Sequence, residues 1–269
     1  VYVQPKLDGF RCITEVVDGE VKMYSRTGEK FNLSHISAAI NQLCKDHNIE
    51  NIIFDGEIYN HDMSLQEISS AVKKPNLNTS RLQYHIYDIV DDRVQRERLN
   101  HLHTIFSQRR VVGNVLHNVL YIFTGCEYNN IKALRDGFII RGYEGAIIRI
   151  AEAAYEQKRS KSLLKYKKPK YAPFTIHRIT QSSRRKGYPI IHLYNNLNKE
   201  TFKASYDGTT EERQALWDKK EHYYGEIVLV EYFERTAPPK ELPFHARVID
   251  LTYRPGIDYD KLEDQNYQF

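Results

Sequence analysis

A dense group of charged residues lies at the start of the chain, in the stretch VYVQPKLDGFRC, which contains Lys6, Asp8, Gly9 and Arg11. A lysine amine attacks as a nucleophile only after it loses its proton, and burial near other cations favours that neutral form. A solvent-exposed turn between two strands would also explain these residue types. The stretch therefore has two interpretations, a lysine held for chemistry and an ordinary turn.

Two glutamates stand at the ends of apolar, strand-like segments, and each lies close to a glycine. Glu57 occurs in FDGEIY and Glu144 in YEGAIIR. A glycine lets the backbone approach a ligand closely because it has no Cβ, and carboxylate oxygens are the ligands that Mg²⁺ prefers. We predict that Glu57 and Glu144 hold a divalent metal; the alternative is that they are ordinary charges at strand ends.

A pair of lysines, Lys165 and Lys167, lies in the segment LLKYKK. Residues two apart in a strand face the same side, so these two side chains should project together. Two cations on one face suit phosphate groups, although a solvated face would also carry them. The sequence has no P-loop and no Ser or Cys placed beside His for acyl transfer. Phosphate chemistry with Lys6 as nucleophile and a divalent metal is therefore favoured.

The composition is that of a globular protein with free thiols. The 269 residues can bury a core, and a hydrophobic content of 41% excludes a disordered chain. No apolar run reaches the roughly 18 residues of a membrane helix, and no signal-peptide pattern occurs, so we expect an intracellular protein without a membrane partner. Cys12, Cys44 and Cys126 are scattered, so we expect reduced thiols, the first two of them in the core.

The elements that must position these residues alternate without regular βαβ phasing, which predicts an α+β fold with antiparallel sheets. Strands are predicted for GEVKMYSR, IENIIFDGEIY, LQYHIYDIV and EGAIIRI. Helices are predicted for LSHISAAINQLCKDH, with Ser34 as N-cap, for SLQEISSAVKK, with a capping box from Ser64 to Glu67, and for RERLNHLHTIFSQ.

The pattern changes near KKPKYAP, where two prolines and a cationic run suit a domain boundary. We predict a first domain over residues 1–170 and a second over 171–269. The second part contains five short β-rich segments and one helical segment, TTEERQALWDKKEHY. This content predicts a small β-barrel of the oligonucleotide-binding (OB) type. The net charge of +4 only suggests a polyanionic partner.

Several of these motifs together resemble those of a known family. KLDGFR looks like the KxDGxR motif of ATP-dependent DNA ligases, and the following motifs occur in the family's order: SRTG, FDGEIY, YHIYDIV, EGAIIR and LLKYKK. GEIVLVEYFERT resembles a strand of the ligase OB domain. The resemblance spans nearly the whole chain and implies a compact two-domain ligase of viral, phage or small bacterial type, in the covalent nucleotidyltransferase superfamily. We expect it to lack the large N-terminal DNA-binding domain of cellular ligases.

The resemblance implies a three-step reaction. Lys6 attacks the α-phosphate of ATP and releases pyrophosphate, AMP moves to a DNA 5′-phosphate, and the 3′-OH then attacks and releases AMP. ATP and Mg²⁺ are the implied cofactors, and nicked duplex DNA is the implied partner. We expect a monomer located in the cytoplasm, at a nucleoid or at a viral replication site.

The same resemblance implies roles for particular residues. Its catalytic residues are Lys6, Asp8, Arg11, Lys165 and Lys167. Its nucleotide contacts are Gln4 at the adenine edge, Lys6, Leu7, Arg11, Arg26, Glu57, Tyr87 stacked on adenine, Glu144, Lys165 and Lys167. Its metal ligands are Glu57 and Glu144.

Further cations are assigned to DNA and to the second domain. The expected DNA contacts are Arg26, Arg159, Arg184, Arg185 and Lys186, of which the last three would equally suit an ordinary loop. The expected second-domain contributors to the first step are Arg247 and Arg254, although Arg247 would equally suit a structural ion pair.

Two other functions stay open. An RNA ligase, or a capping enzyme that transfers GMP, would use the same lysine chemistry, and nucleotide labelling separates ATP from GTP. A catalytically inactive nucleic-acid-binding module would use the barrel alone. The combination of Lys6, the two glutamates and the paired lysines argues against this module, because a pure binder needs no pair of metal-binding carboxylates.

Overall fold

The chain divides into two units, Val1–Lys167 and Lys168–Phe269, in a computed structural model that describes residues 1–107, 111–236 and 238–256. The boundary predicted from the sequence lies after residue 170. Each unit has its own buried apolar core.

The first unit is built of short strands interleaved with helices. In chain order its elements are β1 (Tyr2–Lys6), β2 (Phe10–Val17), β3 (Glu20–Ser25), α1 (Ser34–Asp46), β4 (Ile52–Tyr59), α2 (Leu65–Lys73), a 3₁₀ turn (Thr79–Arg81), β5 (Gln83–Ile89), α3 (Gln95–Ile105), β6 (Val111–Val112), β7 (Leu116–Asn118), β8 (Ile122–Phe123), α4 (Tyr128–Ile140), β9 (Gly145–Arg149) and β10 (Leu163–Lys167).

These strands form two sheets. The larger has the order β3-β2-β4-β5-β7-β6, and the smaller has the order β10-β9-β1-β8. The described pairs are antiparallel except for β5 with β7, which run parallel. The predicted α+β class with antiparallel sheets is confirmed, with that pair as an exception in this unit.

Side chains alternate along β9, so that one face of the smaller sheet packs against α4 and the other faces away from it. Ala146 and Ile148 are buried in a cluster with Ile131 and Phe138 of α4, and burying one such aliphatic side chain contributes about 1.5–3 kcal/mol. Successive residues of a strand face opposite sides. The remaining positions of β9, which include Gly145, therefore belong to the face away from α4.

The helix starts show where local sequence signals succeed and fail. Ser64 and Glu67 form the predicted capping box at the start of α2. The prediction that Ser34 is the N-cap of α1 is wrong, because Leu33 occupies that position without a side-chain cap. Leu33 is buried, and its carbonyl accepts hydrogen bonds from Ile36 N and Ser37 N. Burial of Leu33, rather than a serine hydroxyl, thus fixes the start of this helix.

One helix of the first unit, α4, was not among the predicted elements. Its sequence YNNIKALRDGFII contains two asparagines and a glycine, residues with weak helix propensity. The helix is stabilised by tertiary packing of Ile131 and Phe138 instead. Packing of this kind commonly overrides propensity.

The second unit is a closed barrel with the strand order β11-β12-β13-β17-β14. Its elements are β11 (Lys170–Gln181), β12 (Pro189–Tyr194), β13 (Thr201–Tyr206), α5 (Thr210–Asp218), a 3₁₀ turn (Lys220–Tyr223), β14 (Ile227–Tyr232), β15 (Glu234–Arg235), β16 (Pro243–Phe244) and β17 (Arg247–Asp250). The five barrel strands and the helix coincide with the predicted segments, and the OB-type barrel is confirmed.

The cysteines and the helix lengths were two further subjects of prediction. Cys12, Cys44 and Cys126 are free thiols, and the first two are buried in the core as predicted. Within residues 1–107, 111–236 and 238–256, none of the helices combines the length and the apolar character that a membrane crossing requires.

Candidate active site

Three neighbouring strands bring Lys6 and Lys167 into one row. Lys6 of β1 pairs with Gly145 of β9, and Lys167 of β10 pairs with the same glycine from the other side. Directly paired residues share a face of the sheet. A Cβ on Gly145 would lie 2.4 Å from the carbonyl oxygen of Tyr166, so a glycine is needed for β10 to approach this closely.

Glu144 links the two lysines of this row. Its backbone N–H donates to the carbonyl of Lys6 at 3.1 Å. One carboxylate oxygen forms an ion pair with Lys6 Nζ and the other with Lys167 Nζ. The three side chains are only 14–26% exposed. Glu144 therefore holds both ammonium groups in place where solvent screens them little.

A second row runs parallel to the first. Gln4 pairs with Ile147, and Ile147 pairs with Lys165. Lys165 and Lys167 thus lie on one face, as the spacing predicted. The pKa of Lys165 is lowered, first by burial and then by the positive charge of Lys6. The structure therefore brings together Lys6, Glu144, Lys165 and Lys167.

Glu57 joins this group from the larger sheet, where β2 pairs with β4 and places Arg11 opposite Glu57. Burial raises the pKa of Glu57 to about 8, against the lowering effects of Lys6, Arg11 and Lys165. In the described part of the chain its side chain makes no hydrogen bond or ion pair. Glu57 is therefore a carboxyl group kept largely protonated near neutral pH.

The donor set suits a hard divalent cation. Mg²⁺ is usually bound by one or two carboxylates together with substrate phosphates and waters. Among the described residues, Glu57 has no hydrogen-bond or ion-pair partner for its carboxyl group, and the carboxylate of Glu144 pairs with two lysines. No cluster of three or more His, Cys, Asp or Glu suited to a metal occurs within the described ranges. The two glutamates fit a cation that shares its ligands with phosphate, rather than one enclosed by protein.

Tyr87 is presented by an irregularity in β5. The register shifts between Asp55 and Gly56, which leaves Tyr87 without a paired residue on β4. Such bulges redirect a side chain. The guanidinium of Arg149 lies 5.1 Å from the centre of the Tyr87 ring.

Gln4 forms hydrogen bonds with the same two residues. Its amide oxygen accepts a hydrogen bond from Arg149 Nε at 2.8 Å, and its amide N–H donates to the carbonyl of Tyr87 at 3.4 Å. Gln4 is buried. The predicted contact of Gln4 with adenine stays a prediction, and within the protein its amide ties β1 to the base of the Tyr87 bulge.

Buried charges that the sequence analysis did not single out support this region. Asp88 accepts from Arg98 Nε at 2.9 Å and from Arg149 Nη1 at 3.0 Å. All three residues are buried. Asp88 and Arg149 lie in strands that form the site, and Arg98 lies in the helix that follows β5. A charged residue inside an apolar run, as in IYDIV, is the sequence signal that could have predicted a role for Asp88.

The remaining predicted residues of the first unit lie outside this group of charges. Leu7 is buried in the main core. Asp8 is exposed between β1 and β2, Arg26 is exposed in the turn after β3, and Arg159 is exposed between β9 and β10. Their predicted nucleotide and DNA contacts stay predictions.

In the barrel, the basic loop is exposed and Arg247 is engaged. Arg184, Arg185 and Lys186 are exposed between β11 and β12. Arg247 Nη2 donates to Glu231 Oε1 at 2.9 Å. Its Nη1 lies 3.8 Å from Asp207. These contacts are the structural ion pairs that were the alternative interpretation of Arg247. Arg254 is exposed beyond β17.

A row of basic residues on the barrel was not predicted. Arg178, His192 and Lys203 pair across β11, β12 and β13. Arg178 and Lys203 are exposed, and neither makes a hydrogen bond or ion pair with the residues that the structure describes. The pKa of His192 is lowered by burial and then by these cations. The basic residues of FTIHRIT and TFKASY were the available signal.

A cavity of about 390 Å³ adjoins this row and is lined by Arg184, Lys203 and several hydroxyl groups, among them Thr180, Ser182 and Ser205. Hydroxyls with an arginine and a lysine form a surface suited to phosphate oxygens. The row and the loop thus form a single cationic face on the barrel.

Comparison with known proteins identifies the family. A family model described as "ATP dependent DNA ligase domain" matches residues 1–167, the whole of the first unit. The chain belongs to the ATP-dependent DNA ligase family. The row of Lys6, Gly145 and Lys167 and the linking residue Glu144 lie inside the matched segment.

Sequence relatives are viral DNA ligases. The DNA ligase of an African swine fever virus isolate from Kenya is 30% identical over 265 residues, and that of an isolate from Namibia is 31% identical. Each alignment covers 92% of this chain and 62% of the viral protein. The chain therefore spans less than two thirds of the length of these curated relatives.

Solved ligase structures share the fold. The chain aligns with a structure named "Pmar-Lig_PreS3" at a TM-score of 0.74 and 20% identity, covering 92% of this chain and 62% of the other. A Lig E DNA ligase aligns at 0.67 and 19% identity, with coverage of 93% and 91%. A Chlorella virus DNA ligase-adenylate aligns at 0.51 and 22% identity, with coverage of 94% and 92%.

Proposed function

We propose that this chain is an ATP-dependent DNA ligase that seals 3′-OH/5′-phosphate nicks in duplex DNA through a covalent lysine–AMP intermediate. The observation that carries the proposal is the row in which Glu144 bridges Lys6 and Lys167. A purely structural strand gains little from two half-buried lysines that share one carboxylate, because desolvating such charges is costly. The African swine fever virus relatives are named DNA ligases, which supports the same reaction.

Lys6 is the nucleophile in this proposal. Its Nζ loses a proton, attacks the α-phosphate of ATP and forms a P–N bond, while the bond to pyrophosphate breaks. Glu144 Oε2 already accepts a hydrogen bond from this amine and orients it for the attack, and the proton passes to solvent. Lys165 and Lys167, on the same face, stabilise the charge that develops on the phosphoryl oxygens.

Glu57 and Glu144 are the proposed ligands of Mg²⁺, which would neutralise phosphate charge when bound. Loss of the Glu57 proton is needed before this carboxyl group can act as a ligand, because its pKa lies at about 8. Tyr87 is the proposed platform for adenine, and Arg149 holds its ring from within the protein.

DNA binding is assigned to cations of both units. Arg11, Arg26 and Arg159 are the proposed contacts near the 5′-phosphate. The cationic face of the barrel, with Arg178 and Lys203 added to the predicted loop, is proposed to bind the phosphate backbone without reading sequence. We assign residues 1–170 to nucleotidyl transfer and 171–269 to the OB domain, with Arg247 and Arg254 as candidates for assisting the first step.

Nick sealing tests the proposal. The protein is incubated with a 5′-labelled nicked duplex, Mg²⁺ and either ATP or GTP, and the products are separated on a denaturing gel. We expect a joined strand with ATP only, and none with Lys6→Ala. Sealing restricted to nicked RNA would indicate an RNA ligase, and GMP attachment from labelled GTP would indicate a capping enzyme. If the protein neither attaches a nucleotide nor joins the strands, the ligase proposal fails and the chain is a nucleic-acid-binding module.

A further inference from the structure

The carboxylate of Asp55 lies at the centre of a small polar cluster. It accepts hydrogen bonds from Arg11 Nε at 3.0 Å, from Arg11 Nη2 at 2.8 Å and from the Tyr155 hydroxyl at 2.8 Å. Arg11 Nη2 also donates to the Tyr155 oxygen at 3.0 Å. Asp55 is only 3% exposed. Each member of the cluster thus bonds to the other two, which fixes the plane of the guanidinium more firmly than a two-membered pair would.

The cluster leaves one end of Arg11 available. Nε and Nη2 are used inside the protein, whereas Nη1 makes no hydrogen bond with the described residues. The side chain is 40% exposed, although its Asp55 partner is nearly buried. An arginine held in this way offers its remaining N–H groups to a phosphate at little further cost in side-chain entropy.

Tyr155 is itself held from the opposite side. The guanidinium of Arg98 lies 5.3 Å from the centre of the Tyr155 ring, and Arg98 is fixed by Asp88. The neighbouring backbone is also tied down, because Ala154 forms a bridge with Val94 at the start of α3. Burial, followed by the negative charge of Asp55, raises the pKa of Tyr155. The phenol therefore stays protonated and can donate to Asp55.

We propose that Tyr155 is a positioning residue for Arg11, which it holds both directly and through Asp55, so that the free end of the guanidinium meets a phosphate of the substrate. The proposal rests on the proposed ligase function, in which Arg11 lies near the DNA 5′-phosphate. Tyr155 itself touches no reacting atom in this account. Its effect on the reaction therefore has to disappear when Arg11 is absent.

A double-mutant cycle tests this dependence. Transfer of AMP from preformed enzyme–AMP to a nicked duplex is measured in single turnovers for the unaltered protein, Tyr155→Phe, Arg11→Ala and the double variant. We expect Tyr155→Phe to slow transfer about tenfold in the unaltered background, a change of about 1.4 kcal/mol, and less than twofold in Arg11→Ala. Equal losses in both backgrounds, or no loss in the first, would overturn the proposal.

Tyr84→Phe is the matched control for stability. This substitution also removes a tyrosine hydroxyl with two protein partners, the carbonyls of Cys12 and Phe54. We expect the two single variants to show comparable decreases in melting temperature, but only Tyr155→Phe to slow AMP transfer. Slowing of the same size in both variants would assign the effect to stability and would contradict a positioning role.

A second readout separates this proposal from the ligase function. In ¹⁵N-arginine-labelled protein, the Arg11 Nε–H signal is identified by its loss in Arg11→Ala, and its exchange with solvent is measured. We expect exchange about tenfold faster in Tyr155→Phe and unchanged in Tyr84→Phe. If the unaltered protein transfers no AMP, the ligase function fails and this exchange rate alone decides whether Tyr155 holds Arg11. An unchanged rate in Tyr155→Phe would overturn the proposal.

Discussion

The sheet face around Lys6 and the outer face of the barrel use similar cations in opposite ways. On the sheet, Lys6 and Lys167 share the carboxylate of Glu144. On the barrel, Arg178 and Lys203 have no such partner among the described residues. Paired cations are held in one geometry before a substrate arrives, which suits chemistry. Unpaired surface cations gain most from a polyanion that releases its counterions, which suits binding.

The sharpest way to separate the two faces is to remove the nucleophile. Lys6→Arg keeps a positive charge beside Glu144 but removes a primary amine that can form a stable bond to phosphorus. We expect AMP attachment to fall at least about a thousandfold, whereas affinity for nicked DNA changes less than about threefold. Labelled ATP and gel shift measure the two quantities, and Lys45→Ala on the exposed side of α1 is the control. Parallel loss of both quantities would mean that Lys6 is a binding cation.

Removing the shared carboxylate is expected to have the next largest effect. Glu144→Ala leaves two half-buried ammonium groups without a counter-charge, and breaking such a pair is strongly destabilising. We expect AMP attachment to fall about a hundredfold or more, and the protein to unfold at a lower urea concentration. Glu144→Gln, which keeps the side-chain volume but not the charge, should recover only a small part of the stability and little of the activity. Full activity in Glu144→Gln would show that the carboxylate only holds the fold.

The barrel face predicts a smaller effect that depends on salt. Arg178→Ala with Lys203→Ala should weaken binding of nicked duplex about tenfold at low salt. It should also reduce the slope of log affinity against log salt by up to about 2, since each phosphate contact contributes about 0.9. Lys45→Ala with Lys219→Ala removes the same charge from exposed sites elsewhere. An equal change of slope in both double variants would show that Arg178 and Lys203 act only as general surface charge and are not a DNA-binding site.

Glu57 gives an effect on stability that can be measured apart from its proposed role as a Mg²⁺ ligand. Its pKa is about 8 in the folded protein and about 4.3 in an unfolded chain. The folded state therefore binds more protons, and this group lowers stability as pH rises from about 4.3 to about 8. Glu57→Gln should remove that loss. Urea unfolding without ATP or divalent cations should show the variant close to the unaltered protein at pH 5 and more stable at pH 8.5. A difference independent of pH would contradict the raised pKa.

Features that depend on local sequence patterns could be predicted from the sequence. The alternation in LLKYKK predicted that Lys165 and Lys167 share a face, and the capping box at Ser64 predicted the start of α2. The Lys6–Gly145–Lys167 row could not be predicted, because the register of β1 against β9 depends on pairing residues more than a hundred positions apart. For the same reason, the supports of the site, Asp55 with Tyr155 and Asp88 with Arg149, appear only when distant segments meet.

The most direct test of the central claim is to locate the nucleotide on the chain. The protein is incubated with ATP and Mg²⁺, digested, and its peptides are analysed by mass spectrometry with Lys6→Arg in parallel. We predict AMP on Lys6 and an unmodified peptide in the variant. AMP on another residue, or the same modified peptides in both samples, would contradict the assignment of Lys6 as the nucleophile.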